Sequence, residues 1–136
     1  MTGDDRGDLV KHRVIQAQTA LDDAKYLIDG KRSANSIVNR SYYAMFYAAS
    51  AMLESVPGKI PSKHSGVIGV FDTEFVLKGI LPKKLSKDFH QAFELRQVSD
   101  YQISRIISLE QAEEVWRNAS DFVTLVRGQL NLLFPL

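Results

Sequence analysis

The sequence predicts an all-α fold, an up-and-down bundle of four to five antiparallel helices, and three observations carry that prediction. Apolar residues recur at alternating steps of three and four almost from end to end. Stop signals at Gly30, Val56-Pro57-Gly58, Pro61, Gly79 and Pro82 divide this pattern into separate runs. No stretch alternates apolar with polar residues as a half-buried strand does. Steps of three and four kept up this long favour helices packed nearly antiparallel, and the short connections suit neighbours that run up and down.

In the first run Val10, Val14, Ala17, Leu21, Ala24 and Ile28 form one stripe, and Gly30 supplies a C-terminal stop. The second helix covers about residues 34–55, with Ser33 as its cap and Val56-Pro57-Gly58 as its end. The third covers about 62–78, opened by Pro61-Ser62 and closed by Gly79. The fourth covers about 83–101, directly after Pro82, which suits a helix start. In the last, Leu109, Ala112, Trp116, Ala119, Val123, Val126, Leu130 and Leu133 share a face, and Ser108 with Gln111 has the spacing of a capping box.

A chain of 136 residues suits one domain, residues 1–136, with its core over about 9–130. Its composition, 45% hydrophobic and 24% charged, is that of a water-soluble globular protein. Lys+Arg 17 against Asp+Glu 16 leaves a net charge of +1, so any anion site must be local. The absence of cysteine excludes disulfides, thiolate metal sites and a cysteine nucleophile. The polar N-terminus and the lack of a long apolar run point to the cytoplasm and to no membrane partner.

The second helix is apolar over most of its circumference. Val38, Tyr42, Met45, Ala49 and Met52 take one face, while Tyr43, Phe46, Tyr47 and Ser50 take much of the rest. A helix of this kind is buried on two sides. Either it lies at the centre of the monomer, or its second face meets an identical chain; periodicity does not choose.

The usual chemical motifs are missing. There is no Walker-type phosphate loop, no G-x-G-x-x-G and no nucleophile elbow. His12, His64 and His90 are not spaced as ligands and no Glu-x-x-His pair exists, so no metal site or cofactor is expected. Gly66-Val67-Ile68-Gly69 matches the G-x-x-G of KH domains, but Val67 and Ile68 lie inside a helical pattern with Phe71 and Phe75, and the core reading wins.

One stripe ends oddly. Leu85, Phe89, Ala92 and Phe93 lead to Arg96, about 20° around the helix from Phe89, with Asp100 one turn on and Tyr101 beside it. One reading is an Arg96–Asp100 pair closing the end of the bundle. The other is a phosphate site, because guanidinium is permanently charged and its planar fork fits phosphate oxygens. Arg40, two turns before Tyr47, either joins Arg96 around a phosphate or stacks on tyrosine.

The runs "NRSYYAMFYAASAML", "KHSGVIGVFDTEFVLKG" and "FELRQVSDY" together resemble a HEPN domain, the higher-eukaryote and prokaryote nucleotide-binding domain, over about residues 9–130. The resemblance implies a four- or five-helix bundle that commonly forms a homodimer. It implies a minimal nucleotidyltransferase as partner in many members and a toxin–antitoxin role in several. This chain is not that transferase, because it has no Gly-Ser followed by paired aspartates.

Active members resembling it are metal-independent ribonucleases, with an arginine followed four to six residues later by a histidine on a late helix lining a cleft between protomers. Arg96 matches that arginine. The histidine position is taken by Asp100-Tyr101, as in a branch reading Arg, three residues, Asp-Tyr. The resemblance thus implies nucleotide or RNA-phosphate binding by Arg96, with Tyr101 and Asp100 shaping the site; Arg40 joins it in the phosphate reading above, and the second apolar face of the second helix makes Tyr43, Phe46 and Tyr47 the expected dimer interface.

The catalytic candidates are Arg96, Asp100, Tyr101 and His64. Arginine is a poor proton shuttle and tyrosine a weak one, whereas histidine works near neutral pH. His64 would have to come from another helix or a partner chain, and His90, six residues before Arg96, lies on a different side of the helix. A non-catalytic interaction module and a weak ribonuclease toxin are the competing functions.

Overall fold

The computed structural model describes residues 3–101 and 106–136. Among these, five α-helices pack as an all-α bundle: α1 (Gly3–Asp29), α2 (Ala34–Glu54), α3 (His64–Phe71), α4 (Lys83–Tyr101) and α5 (Leu109–Leu130).

The caps read from sequence are in place. Ser33 Oγ accepts from the Ser36 amide at the start of α2. Ser108 and Gln111 close a reciprocal capping box on α5, satisfying amides that the helix itself leaves free.

Three boundaries differ from expectation. α1 ends in a Schellman arrangement, with Arg32 N–H donating to Leu27 O, but the residue at positive φ is Lys31 (φ 50°) rather than Gly30. The stop therefore falls one residue later, on a side chain that tolerates the left-handed region poorly. The third helical stretch is not one α-helix over 62–78. α3 gives way to a π-helical turn at Asp72–Val76, where Leu77 N–H donates to Asp72 O at 2.8 Å. The wider turn keeps Phe71, Phe75 and Val76 all in the core, and Gly79 (φ 78°) then ends the segment. Finally, α5 stops at Leu130, so Leu133 lies beyond the helix, 64% exposed, and is not part of its buried stripe.

α2 is the central helix and touches every other one. It packs most extensively against α1, and both helices bury small residues, Ala44, Ala48 and Ala51 on α2 and Ala17, Ala20 and Ala24 on α1. At the other side Phe71, Phe89 and Phe122 meet from α3, α4 and α5, with ring centroids 5.2–5.7 Å apart. Each such ring removes on the order of 150–250 Å² from water, so this cluster anchors three helices at once. Phe89 in turn lies 6.0 Å from the ring of Tyr42, which carries the aromatic core toward the end of α4 where Arg96 stands.

Gly66 and Gly69 fall inside α3 with Val67 and Ile68 buried between them, as the core reading of that motif requires. A Cβ on Gly66 would meet Pro61 Cβ at 2.7 Å, so glycine here allows the chain leading into α3 to lie against the helix.

Candidate anion site

α2 supplies an aromatic wall at this end of the bundle. Tyr42 is fully buried; Tyr43, Phe46 and Tyr47 are half-buried and contact one another at ring distances of 5.8–6.1 Å. Their spacing, one and four residues apart, places them side by side on one flank of the helix. α4 then sets Arg96 over the wall, with its guanidinium carbon 5.3 Å from the rings of both Tyr42 and Tyr43. Arg40, from the same helix as the wall, stands 5.5 Å from the Tyr43 ring, so the two arginines share one aromatic platform.

Asp100 Oδ2 lies 3.4 Å from Arg96 Nε, one turn along α4. That is ion-pair distance, yet the approach does not close a hydrogen bond, and Arg96 Nε is an enclosed donor without a partner. The side chain of Arg96 is 20% exposed and makes no hydrogen bond to a described residue. Arg40 Nε is enclosed and unpartnered in the same way. Two part-buried cations side by side on an aromatic support are suited to an anion.

α3 brings His64 to the same wall. Its ring stacks on Phe46 at 4.1 Å and 23°, and lies edge-on to Tyr43 at 5.8 Å. Nδ1 shares a 2.8 Å hydrogen bond with the hydroxyl of Tyr42. Burial, and then the positive charge of Arg96, hold the imidazole below its ordinary pKa, so it is neutral at pH 7. Burial likewise pushes the Tyr42 phenol well above its ordinary value; Arg96 opposes this shift and Tyr43 adds to it.

Sequence reasoning placed some of these residues and missed others. Arg96, Asp100, Arg40 and His64 converge through Tyr42 and Tyr43. Tyr101 does not join them: it is 78% exposed and has no ring contact with a described residue. His90 is engaged elsewhere, its Nε2 2.6 Å from Asp72 Oδ2 on the π turn. In the sequence Tyr42 stands out only as part of a core stripe. The signal was there, since a phenol on an apolar face needs a partner for its hydroxyl. Among the described residues no three histidine or carboxylate side chains gather where they would hold a metal ion, and no helix is long and apolar enough to cross a membrane.

This geometry spans the three segments that carry the resemblance, and the family model for the HEPN domain matches residues 10–129. The chain belongs to the HEPN family. A UPF0332 protein of Thermotoga maritima is 37% identical over 131 residues, covering 93% of this chain and 92% of that one. Two proteins of Methanocaldococcus jannaschii are also similar. "Putative toxin MJ0605" is 31% identical over 114 residues (84% of this chain, 83% of its own), and "Putative toxin MJ0142" is 33% identical over 93 residues (68% and 63%). The wall, the two arginines and His64 all lie inside the HEPN match.

Proposed function

We propose that this HEPN chain binds the phosphate of a nucleotide or RNA through Arg96. In this reading it acts in the cytoplasm as a component of a toxin–antitoxin pair, beside a minimal nucleotidyltransferase and as a homodimer. The observation that carries the reading is the state of Arg96: four-fifths enclosed, set over two tyrosines, and with an enclosed donor that no described residue satisfies. The enclosed Nε lies out of a ligand's reach, but the rest of the part-exposed guanidinium also has no acceptor among the described residues, and its planar fork fits the oxygens of a phosphate. Arg40 adds a second cation across Tyr43, Asp100 steadies the guanidinium from one side, and the exposed ring of Tyr101 is free to meet a base. The names of the two Methanocaldococcus relatives support the toxin role.

A purely structural Arg96–Asp100 pair fits less well, because at 3.4 Å without hydrogen-bond geometry the pair adds little. The test is titration of the wild-type protein and Arg96→Ala with ATP and a short RNA. Losing a charge-assisted hydrogen bond should weaken binding about ten- to a hundredfold. Equal binding by both proteins would end the reading.

A further inference from the structure

What His64 does at this site depends on where its one proton rests. Tyr42 is 0% exposed, so no water reaches its hydroxyl, and the one hydrogen bond that described residues offer it is His64 Nδ1 at 2.8 Å. A buried hydroxyl left without an acceptor costs more than its hydrogen bond contributes, so the phenol donates and Nδ1 accepts. A neutral imidazole that accepts at Nδ1 carries its proton on Nε2. Adding a second proton would set Nδ1–H against the phenol and strand the phenolic proton.

The other charged and titratable groups around the ring agree. From α4 comes Arg96, with Asp100 behind it; from α2 come the phenols of Tyr42 and Tyr43, with Arg40 beyond Tyr43; on α3 itself Lys63 precedes His64. None of the described carboxylates pairs with His64 to favour a cation. The stack on Phe46 and the edge contact with Tyr43 fix the plane of the ring, and Nε2 has no hydrogen-bond partner among the described residues.

We propose that Tyr42 is a positioning residue that locks His64 in its Nε2–H tautomer, so that His64 serves the Arg96 site as a fixed, neutral hydrogen-bond donor to a phosphate oxygen. This rests on the anion-site reading above and narrows it. The ligand is a phosphate ester met by donors alone, a guanidinium and an imidazole N–H. The lone pair that would accept a proton is turned into the core against Tyr42. His64 in this state can donate a hydrogen bond but cannot take a proton, so it is not a base for the 2′-hydroxyl of RNA.

Nitrogen NMR of the full chain with labelled histidine tests the lock, using His64→Gln to assign the signals. Between pH 6 and 8 the wild type should show His64 with Nδ1 unprotonated and Nε2 protonated, and Tyr42→Phe should show a mixture of both tautomers. A wild-type ring that is itself a mixture, or that carries its proton on Nδ1, overturns the proposal even if Tyr42→Phe fails to fold.

ATP titration tests the donor role. The amide N–H of His64→Gln stands where Nε2–H stood and should hold affinity within about threefold, while His64→Ala should lose about tenfold. Equal losses in the two variants overturn the donor role. Failure of the wild type to bind either ATP or RNA overturns the parent reading and the donor role with it, while the nitrogen shifts still decide the tautomer.

Discussion

Removing Arg96 and Asp100 singly and together separates an anion site from a structural ion pair, and the structure sets the sizes to expect. Nε and Oδ2 are 3.4 Å apart, the side chains are 20% and 34% exposed, and no hydrogen bond closes between them. A pair of that kind couples by about 0.2–1 kcal/mol. Arg96→Ala also removes two contacts with tyrosine faces, each about 0.5–1 kcal/mol, and the packing of its stem. Against this, it relieves the protein of an enclosed cation with an unmade hydrogen bond.

The net should be a loss of about 1–2 kcal/mol for Arg96→Ala and less than about 1 kcal/mol for Asp100→Ala, with the double variant close to their sum. Urea melts of the four proteins read this directly, as shifts in midpoint at constant slope. The same variants titrated with ATP should show binding fall with Arg96 and hold better with Asp100. Comparable destabilisation by both single variants, a coupling above about 2 kcal/mol and unchanged ligand binding would together refute the anion-site reasoning.

The Tyr42 phenol is held above its ordinary pKa by burial, so above about pH 10 the unfolded chain releases this proton while the folded chain keeps it. Stability therefore falls as pH rises, by at most about 1.4 kcal/mol per pH unit from this group, and Tyr42→Phe should flatten the decline between pH 9 and 11.5 in urea melts; parallel declines would remove Tyr42 as the cause. Tyr47→Glu places a charge on the half-buried flank of α2 and should shift the proposed dimer toward monomer in light scattering at micromolar concentration; Tyr43 and Phe46 belong to the same face but also carry the wall beside Arg96 and His64. A wild-type protein that is already monomeric removes the dimer. The isolated protein should show little or no metal-free ribonuclease activity, and robust cleavage abolished by Arg96→Ala would show that another residue supplies the base.

Much of the fold was legible because helices announce themselves locally. Ser33, Ser108 with Gln111, Gly79 and Pro82 mark ends by satisfying or withdrawing backbone hydrogen bonds within a few residues. The π turn at Asp72–Val76 was not legible, since α and π turns differ in hydrogen-bond register, and the apolar pattern of Phe71, Phe75 and Val76 allows either. Lys31 at positive φ was hidden because Gly30 is the better residue for that conformation, yet the turn falls one residue on. In the site, Arg96 and Asp100 were readable from one helical turn. The Tyr42–His64 bond joins residues 22 apart through a change of chain direction, which no local pattern encodes.

The site divides its tasks in a way that favours holding an anion over cutting one. Arg96 supplies a charge that no physiological pH removes, and the rings beneath it keep that charge partly out of water, where its attraction to phosphate is stronger. His64, tied through Nδ1 to a buried phenol, offers direction without charge. Asp100 is the one carboxylate within reach of Arg96 among the described residues, and it sits at the rim. The flank that carries this wall also exposes Tyr47 and the outer faces of Tyr43 and Phe46, the surface proposed for a second copy. A partner covering it would withdraw Arg96 and Arg40 further from solvent and deepen their preference for a phosphate. Assembly and ligand binding would then draw on the same residues of α2, which ties the two-sided apolar character of that helix to the arginine that ends the stripe of α4.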